Sequence, residues 1–581
     1  MASNGEVARL LHELAVLTEV EEGSRQSFRA RAYHNAVRAI ENSPRDVTSM
    51  SVDELVAIKG VGKAIALKIR EFADTGRIAK VEQLRERYPP GYVGLLRVPG
   101  LGPKTIAILR EQLGITTVDQ LREAIAQERL RDVAGLGKKT EENLVKAIER
   151  LGMSGKERRT PILEALPLAL ELVEVLAEIP GVERADYAGS LRRFRESVAD
   201  LDIVVAASDP GPVMEYFTTS AAVDEVLSSG DKKASIRTRR GLQIDLRVVG
   251  LEQYGAALVY FTGSKQHNVR IRERAVKRGL TLNEYGLFRV ETGDLLAGAN
   301  EEEVYAALDM AWVDPVLRED NGEIEAAIAG TLPQPMQVED IVGDLHVHSD
   351  WSGDGRATLE AMATTAARRG LRYIAITDHA ENLRINGLSR ERMLEQRVAI
   401  AQLQERMPDL QLIHGAELNI GADGSLDYDE DFLLGFDWGL ASVHSHFTLP
   451  QAQQTERIIT AMQHPAVHAI GHLQGRRVGK RAGIELDLDA MYDAAVATGT
   501  AIEINSNLDR LDASAEVLLA ARGRGVTFVI NTDSHNTREF AYVSYGVLQA
   551  RRGWVTADQV ANTWPFARFR AWTGAKRERV G

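Results

Sequence analysis

Three patterns of apolar and polar positions follow one another along the 581 residues. In the first 150 residues a helix end, a Gly-x-Gly turn and a helix start recur. The copies are LVAIKGVGKAIALKI (55–69), LLRVPGLGPKTIAIL (95–109) and, more loosely, LRDVAGLGKKTEENL (130–144). Around residue 200 the period changes to two. Asp200 and Asp202 fall on one face of a predicted strand, with Leu201, Ile203 and Val205 on the other. LQIDLRVV (242–249) repeats the alternation with Gln243, Asp245 and Arg247 on its polar face. From residue 341 short apolar runs such as RYIAITDH, QLIHGAELNI, WGLASVHSHF, AVHAIGHLQG, AIEINSN and TFVINTDSH alternate with helical stretches. That alternation predicts a parallel β/α barrel with its site at the strand C-termini.

Composition adds limits. A chain of this length needs several cores, and 44% hydrophobic with 26% charged residues describes a soluble globular protein. No run of about 18 apolar residues is present and the N-terminus lacks a signal-peptide pattern, so no membrane partner and a cytoplasmic location are expected. With no cysteine, disulfides and thiolate sites are excluded, and any metal must be held by nitrogen and oxygen. The net charge of −13 is uneven: residues 1–150 carry 24 Lys and Arg against 21 Asp and Glu. A basic front and an acidic back suggest separate tasks. Three histidines precede residue 340 and ten follow it.

In the front region, glycines allow a tight turn and close backbone approach, and the next helix offers free N–H groups to a phosphate. Gly60, Gly62, Lys63, Gly100, Gly102 and Lys104 are the candidate contacts. The pattern resembles the helix-hairpin-helix module, which grips DNA backbone without reading its sequence.

In the middle, two neighbouring strands could gather Asp200, Asp202 and Asp245, as a two-metal phosphoryl-transfer site requires. Ten residues earlier, Gly189, Ser190, Arg192 and Arg193 can cradle a polyphosphate. G-S-x-R-R…D-x-D…I-D resembles the nucleotidyltransferase palm of family X DNA polymerases, the small gap-filling repair enzymes. YFTGSKQHNVRIRERAVKRGLTLNEYGLF (260–288) resembles their thumb. The likeness runs from about residue 5 to 318. It implies that Asp200, Asp202 and Asp245 hold two Mg²⁺ or Mn²⁺ ions, and that Gly189, Ser190, Arg193 and Gly263 bind the dNTP. It also implies that Tyr260 and Phe261 line the sugar pocket, with Asn268 and Arg272 in the minor groove at the nascent pair. The sequence departs from the family pattern at Leu191, Ala199 and Ile162, the last where animal members carry a second phosphate-binding Arg. Lys68 falls at the position of the Schiff-base lysine of 5′-deoxyribose phosphate lyases, with Arg29, Tyr33 and Lys80 at sugar-phosphate positions. A plain phosphate contact is the alternative role for Lys68.

The opening of the back region, GDLHVHSDWSGDG (343–355), puts His346 and His348 two apart, hence on one side of a strand. H-x-H, T-D-H, G-x-E, S-V-H-S-H-F and D-S-H resemble the PHP (polymerase and histidinol phosphatase) domain throughout 341–581. The resemblance implies nine ligands for up to three Mn²⁺, Zn²⁺ or Fe²⁺ ions: His346, His348, Asp354, His379, Glu417, His444, His472, Asp533 and His535. His414, His464 and His468 are expected to be structural, and His446 to lie behind the ligands or touch substrate.

The expected fold is multidomain. It comprises an all-α helix-hairpin-helix N-terminal region, an α+β nucleotidyltransferase palm and thumb, and a C-terminal α/β distorted β/α barrel (PHP). The expected boundaries are 1–85 for a lyase-like DNA-binding domain, 86–150 for a fingers-like subdomain, 151–250 for the palm and 251–318 for the thumb. A linker at 319–340 and the PHP domain at 341–581 complete the chain. The expected function is gap filling in base excision repair, with a metal-dependent 3′–5′ exonuclease at the back. Gapped or primer-template DNA and dNTPs are the expected partners, and the chain is expected to be a nucleoid-associated monomer. Two rivals remain at this point: a small-molecule phosphatase with a DNA-targeting front half, and a DNA-binding scaffold with an inactive palm.

Overall fold

The computed structural model describes residues 4–22, 28–41, 47–58, 60–88, 95, 101–127, 129–133, 144, 159–383 and 385–580. The chain divides into two compact units, 1–158 and 159–581. Among the described residues no helix is long and apolar enough to cross a membrane.

The first unit is helical, with one core around Leu11, Leu14, Ile40, Ile65 and Ile69 and another around Leu101, Ile106, Leu109 and Leu121. Its hairpins repeat in backbone as well as in sequence. Helices Lys63–Thr75 and Pro103–Leu113 each begin at an extended N-cap glycine, Gly62 (φ −82°) or Gly102 (φ −88°). Each ends at a left-handed glycine, Gly76 or Gly114. Gly60 needs its missing side chain: φ is +104°, and a Cβ would lie 3.4 Å from the Asn35 carbonyl oxygen. Gly100 and the turn of the third copy lie outside the described residues.

The second unit starts with a five-stranded sheet, β1 (Val182–Tyr187), β2 (Asp200–Ala207), β3 (Val223–Ser229), β4 (Lys233–Thr238) and β5 (Gln243–Val249). Its order is β1-β2-β5-β4-β3. β2 and β5 run parallel, and the register sets Asp202 directly beside Asp245. The expected alternation of β2 holds only at its start. From Ile203 onward every residue is buried, because both faces are covered. Ile203 and Val205 pack into the main core with helix Ile162–Ala177, while Val204 and Ala206 meet Tyr254, Ala257 and Leu258 of helix Tyr254–Thr262. A three-stranded sheet follows: β6 (Leu280–Asn283), β7 (Gly286–Arg289) and β8 (Leu295–Ala297). Within residues 319–340, expected as a linker, 323–329 form a packed helix, whereas 331–337 run without helix or strand and only Met336 among them is buried. Glu323 is fully buried, helix Glu323–Ala329 contributes Ile324 and Ala327 to the main core of the five-stranded sheet, and Met336 enters the barrel core.

The barrel has seven parallel strands in chain order. They are β9 (Gly343–Val347), β10 (Tyr373–Ile376), β11 (Gln411–Asn419), β12 (Trp438–Ser442), β13 (Ala469–Gly471), β14 (Ala501–Asn505) and β15 (Phe528–Asn531). A Val347–Ser534 bridge brings the last strand's extension against the first. The two ends of the barrel differ in chemistry. Tyr373 and Trp438, which start β10 and β12, close one end with Phe569 and Trp564, and the histidines crowd the other. Leu508, Leu511 and Trp554 leave the barrel to join the core of the five-stranded sheet. Beside them Arg476 grips Glu196 through two bonds of 2.7 and 2.8 Å.

Candidate active sites

The strand register brings the three palm aspartates together. Asp245 accepts hydrogen bonds from Ser235 Oγ and from Gln243 Nε2, the latter at 3.0 Å. Burial, then the charges of Asp200 and Asp245, push Asp202 up to about 7. A buried carboxylate held up by two neighbouring carboxylates suits a divalent ion, which would relieve their repulsion. Gly189 stands against it with φ +62°, and a Cβ there would lie 2.3 Å from Asp202 Oδ2. The short helix Gly189–Arg192 also presents Ser190. Arg193 is engaged elsewhere: Nε donates to Glu319 at 3.0 Å and Nη1 to the Thr262 carbonyl beside Gly263. Tyr260, partly exposed, stands edge-on to Phe261 with centroids 5.1 Å apart, and Arg247 lies over the Phe261 ring. Asn268 Nδ2 donates to the Tyr260 carbonyl at 2.7 Å, and Arg272 Nε donates to the Asn268 carbonyl at 3.2 Å. Arg193, Gly263, Tyr260, Phe261, Asn268 and Arg272 therefore lie along one connected stretch, and Gly189 lies against Asp202.

In the first unit Arg29, Tyr33 and Lys80 gather around two glutamates. Arg29 pairs with Glu22 and Lys80 with Glu21, at 2.5 and 3.1 Å. Burial holds the Tyr33 hydroxyl above its ordinary value, with Arg29 opposing and Glu21 and Glu22 reinforcing it. Lys68 is half-buried on helix Lys63–Thr75, and Lys63 is exposed at that helix's start.

The barrel's C-terminal rim brings all nine expected ligands together. Donor atoms of eight of them form three groups: His348, Asp354, His379 and His535; His346, His348 and Asp533; and His379, Glu417 and His444. The ninth, His472, joins through Glu417. Glu417 lies at the centre, with Oε2 2.8 Å from His379 Nδ1 and Oε1 2.8 Å from His472 Nε2 and 3.2 Å from His444 Nε2. His346 Nε2 and His348 Nε2 stand 3.1 Å apart, about 3.4 Å from Asp533 Oδ1. Burial opposes protonation of His346, but Glu503, Asp533 and Glu417 hold its pKa well above the usual range. His348 goes the other way, to about 3, through burial and the neighbouring His535 and His379. Buried nitrogens His348 Nδ1 and His472 Nδ1 have no hydrogen-bond partner. Carboxylates and imidazoles converging with unmet lone pairs fit borderline divalent ions well. Two histidines expected to be structural are so placed: His468 stacks on Trp438 at 5.3 Å, and His414 lies against Phe436. His446 is exposed at the rim with φ +54°.

Sequence reasoning missed the carboxylates behind the ligands. Glu503 on β14 is fully buried and takes four hydrogen bonds, from His346 Nδ1 (2.7 Å), Asn531, the His472 amide and Asn505. It thereby fixes the His346 ring with Nε2 toward the cage. Asp378 is likewise held by Ser349, Ser352 and Gln396. The available signal was a lone Glu in the apolar AIEIN run, and the Asp inside T-D-H. Also missed was the thumb network in which Glu301 takes both Arg318 and Arg192.

Known families match region by region. A helix-hairpin-helix domain matches residues 2–78, a SAM-like helix-hairpin-helix tandem 93–150, the DNA polymerase beta thumb 257–319 and the PHP domain 344–558. "DNA polymerase/3'-5' exonuclease PolX" of Bacillus subtilis (strain 168) is 38% identical over 561 residues, 96% of this chain and 97% of that protein. The chain belongs to the family X DNA polymerases that carry a PHP domain. Partial matches agree with each half of this family architecture. "DNA polymerase lambda" of Rattus norvegicus is 23% identical over 343 residues, 53% of this chain and 56% of that one. A "Probable phosphatase" of Syntrophotalea carbinolica is 32% identical over 167 residues, 28% of this chain and 65% of that protein.

Proposed function

We propose that this family X member fills short gaps in DNA during repair and removes 3′-terminal nucleotides with its PHP domain. The observation that carries the first half is the Asp202–Asp245 register on β2 and β5, with Gly189 held against Asp202. In this reading Asp200, Asp202 and Asp245 hold two divalent ions, Mg²⁺ or Mn²⁺, which would supply charge stabilisation for nucleotidyl transfer. Ser190 and Arg193 bind the triphosphate, and Arg193 exchanges Glu319 for phosphate when dNTP enters. Tyr260 and Phe261 take the sugar, while Asn268 and Arg272 read the minor-groove edge. The helix-hairpin-helix glycines with Lys63 and Lys104 hold the DNA backbone. We assign 1–85, 86–150, 151–250, 251–318 and 341–581 to lyase-like, fingers, palm, thumb and PHP parts, and the whole to a monomer acting at the nucleoid.

In the barrel, the nine ligands would hold up to three Mn²⁺, Zn²⁺ or Fe²⁺ ions, which would supply Lewis-acid chemistry for phosphodiester hydrolysis. Glu417 bridges the set, and Glu503 and Asp378 orient it. A labelled primer on gapped DNA, with and without dNTPs, tests both halves. Asp202→Ala should abolish extension and keep 3′ digestion, whereas His346→Ala with His348→Ala should do the reverse. Loss of both activities in either variant refutes the separation of sites. A chain that digests no 3′ end but cleaves small phosphate monoesters would instead be a phosphatase. Lys68 is proposed as a lyase nucleophile beside Arg29, Tyr33 and Lys80. Borohydride should trap the chain on incised abasic DNA, and unchanged trapping in Lys68→Ala returns Lys68 to a phosphate contact.

A further inference from the structure

The loop after β13 reads GRRVGKRAG over 475–483, and none of its charges belongs to the ligand cage. It is tied to the cage at its start, where the Gly475 amide donates to the His472 carbonyl at 2.7 Å. Its far side rests on the palm: Arg476 pairs with Glu196, and a Cβ at Gly479 would lie 2.9 Å from Pro161. A cleft lined by Glu196, Ser197 and residues 476–483 runs between the two. Arg477 and Lys480 share Asp509. Arg481 has no carboxylate in salt-bridge range among the described residues. It lies 3.8 Å over the Phe447 ring and donates to the Gly475 carbonyl. Burial, then the nearby charges of Arg510 and Arg477, lower its pKa, so like charges crowd there. Arg510 completes the file. Its Nε stands 3.2 Å from Asp533 Oδ2, inside the cage, with 24% of the side chain still open.

We propose that this file of cations is an entry track for a DNA single strand. Arg510 engages the phosphate to be cleaved, Arg481 the next phosphate upstream, and Phe447 stacks on a sugar or base. The chemistry supports it. A guanidinium without a direct ion pair, set between an aromatic face and other cations with Asp509 and Asp512 farther off, binds a phosphodiester well, and stacking tolerates any base. The track rests on the exonuclease reading above and adds to it the route by which substrate reaches the cage from the palm side.

The test uses the full chain and thymidine oligonucleotides from two to eight residues. Wild-type protein should digest the octamer with a KM well below that of the dinucleotide, which lacks the upstream phosphate. Arg481→Gln should shrink that length advantage at least tenfold, mostly in KM. It should also flatten the salt dependence of kcat/KM by about 0.7 log units per decade for the lost contact. Arg510→Gln should lower kcat, and Arg510→Lys should recover part of it. Independently of turnover, an octamer ending in 4-thiothymidine should cross-link to peptides containing Phe447 or residues 477–481. An undiminished octamer advantage in Arg481→Gln, or cross-links confined to residues 1–158, overturns the track. A wild-type chain that digests no oligonucleotide sinks the exonuclease reading alone, and the cross-link still decides the track.

Discussion

Glu503→Gln is the most informative single change, because it replaces no expected ligand yet touches two of them, His346 and His472. Each carboxylate oxygen of Glu503 takes two donors: Oε1 from His346 Nδ1 and Asn531 Nδ2, Oε2 from the His472 amide and Asn505 Nδ2. A glutamine has one such oxygen. With its amide nitrogen toward His346, the ring must accept at Nδ1 and carry its proton on Nε2, aimed at the cage, where it cannot ligate. With the nitrogen toward the His472 amide, two donors face each other. In either orientation at least one buried donor loses its acceptor, at about 1–3 kcal/mol. Loss of an outer partner of this kind weakens metal binding about 10–100-fold, or about 1.4–2.7 kcal/mol. Calorimetric titration of the metal-free chain with Mn²⁺, metal content after dialysis, and thermal unfolding report these effects separately. A variant with metal affinity within twofold of the parent and an unchanged Tm would refute the positioning role.

Three further changes probe the scaffold. Lys576 is buried, donates to the Met462 carbonyl and to Thr500 Oγ1, and is pushed down by burial to about 7 from 10.5. The unfolded chain therefore binds one more proton between those values, and native stability should rise with pH there by up to about 1.4 kcal/mol per unit. Lys576→Met should remove that rise in urea unfolding at pH 7.5–9.5, and parallel profiles would count against it. Burial opposes ionisation of Glu301, but Arg318 and then Arg192 hold its carboxyl down to about 2. Glu301→Gln should cost about 3–5 kcal/mol in thermal unfolding by stranding buried Arg318. It should also raise KM for dNTP, since Arg192 holds Thr262 beside Gly263. Gly255→Ala would set a Cβ 2.1 Å from the Asn300 carbonyl carbon. A loss of about 1–3 kcal/mol is expected, and an unchanged Tm would mean that the backbone yields.

The residues proposed to hold cations are legible in the sequence because a strand's period of two, or its C-terminal end, brings them together. D-x-D and H-x-H are local facts. What supports them is not local. Glu503 in AIEIN looks like an alternating solvent position, and only closure of the barrel buries it at His346, 157 residues away. The Glu301 carboxylate joins Arg192 and Arg318 across spacings of 109 and 17 residues that no periodicity marks. The same holds for 319–340. Its polar composition suggested a linker throughout, yet in its first half Glu323 is buried against His267 at 2.7 Å, a pairing visible only in three dimensions.

The core that Leu508, Leu511 and Trp554 share with the five-stranded sheet gives the two chemistries a common fate. A polymerase fragment cut off near residue 320 would expose the apolar seat these side chains fill, and would lose Arg476 from Glu196. Truncation would then be a lesion of solubility and folding as much as a loss of the barrel's own site. Inheritance follows the same constraint: a chain that sheds the barrel keeps a bare apolar flank on the five-stranded sheet unless polar residues replace the ones these side chains cover.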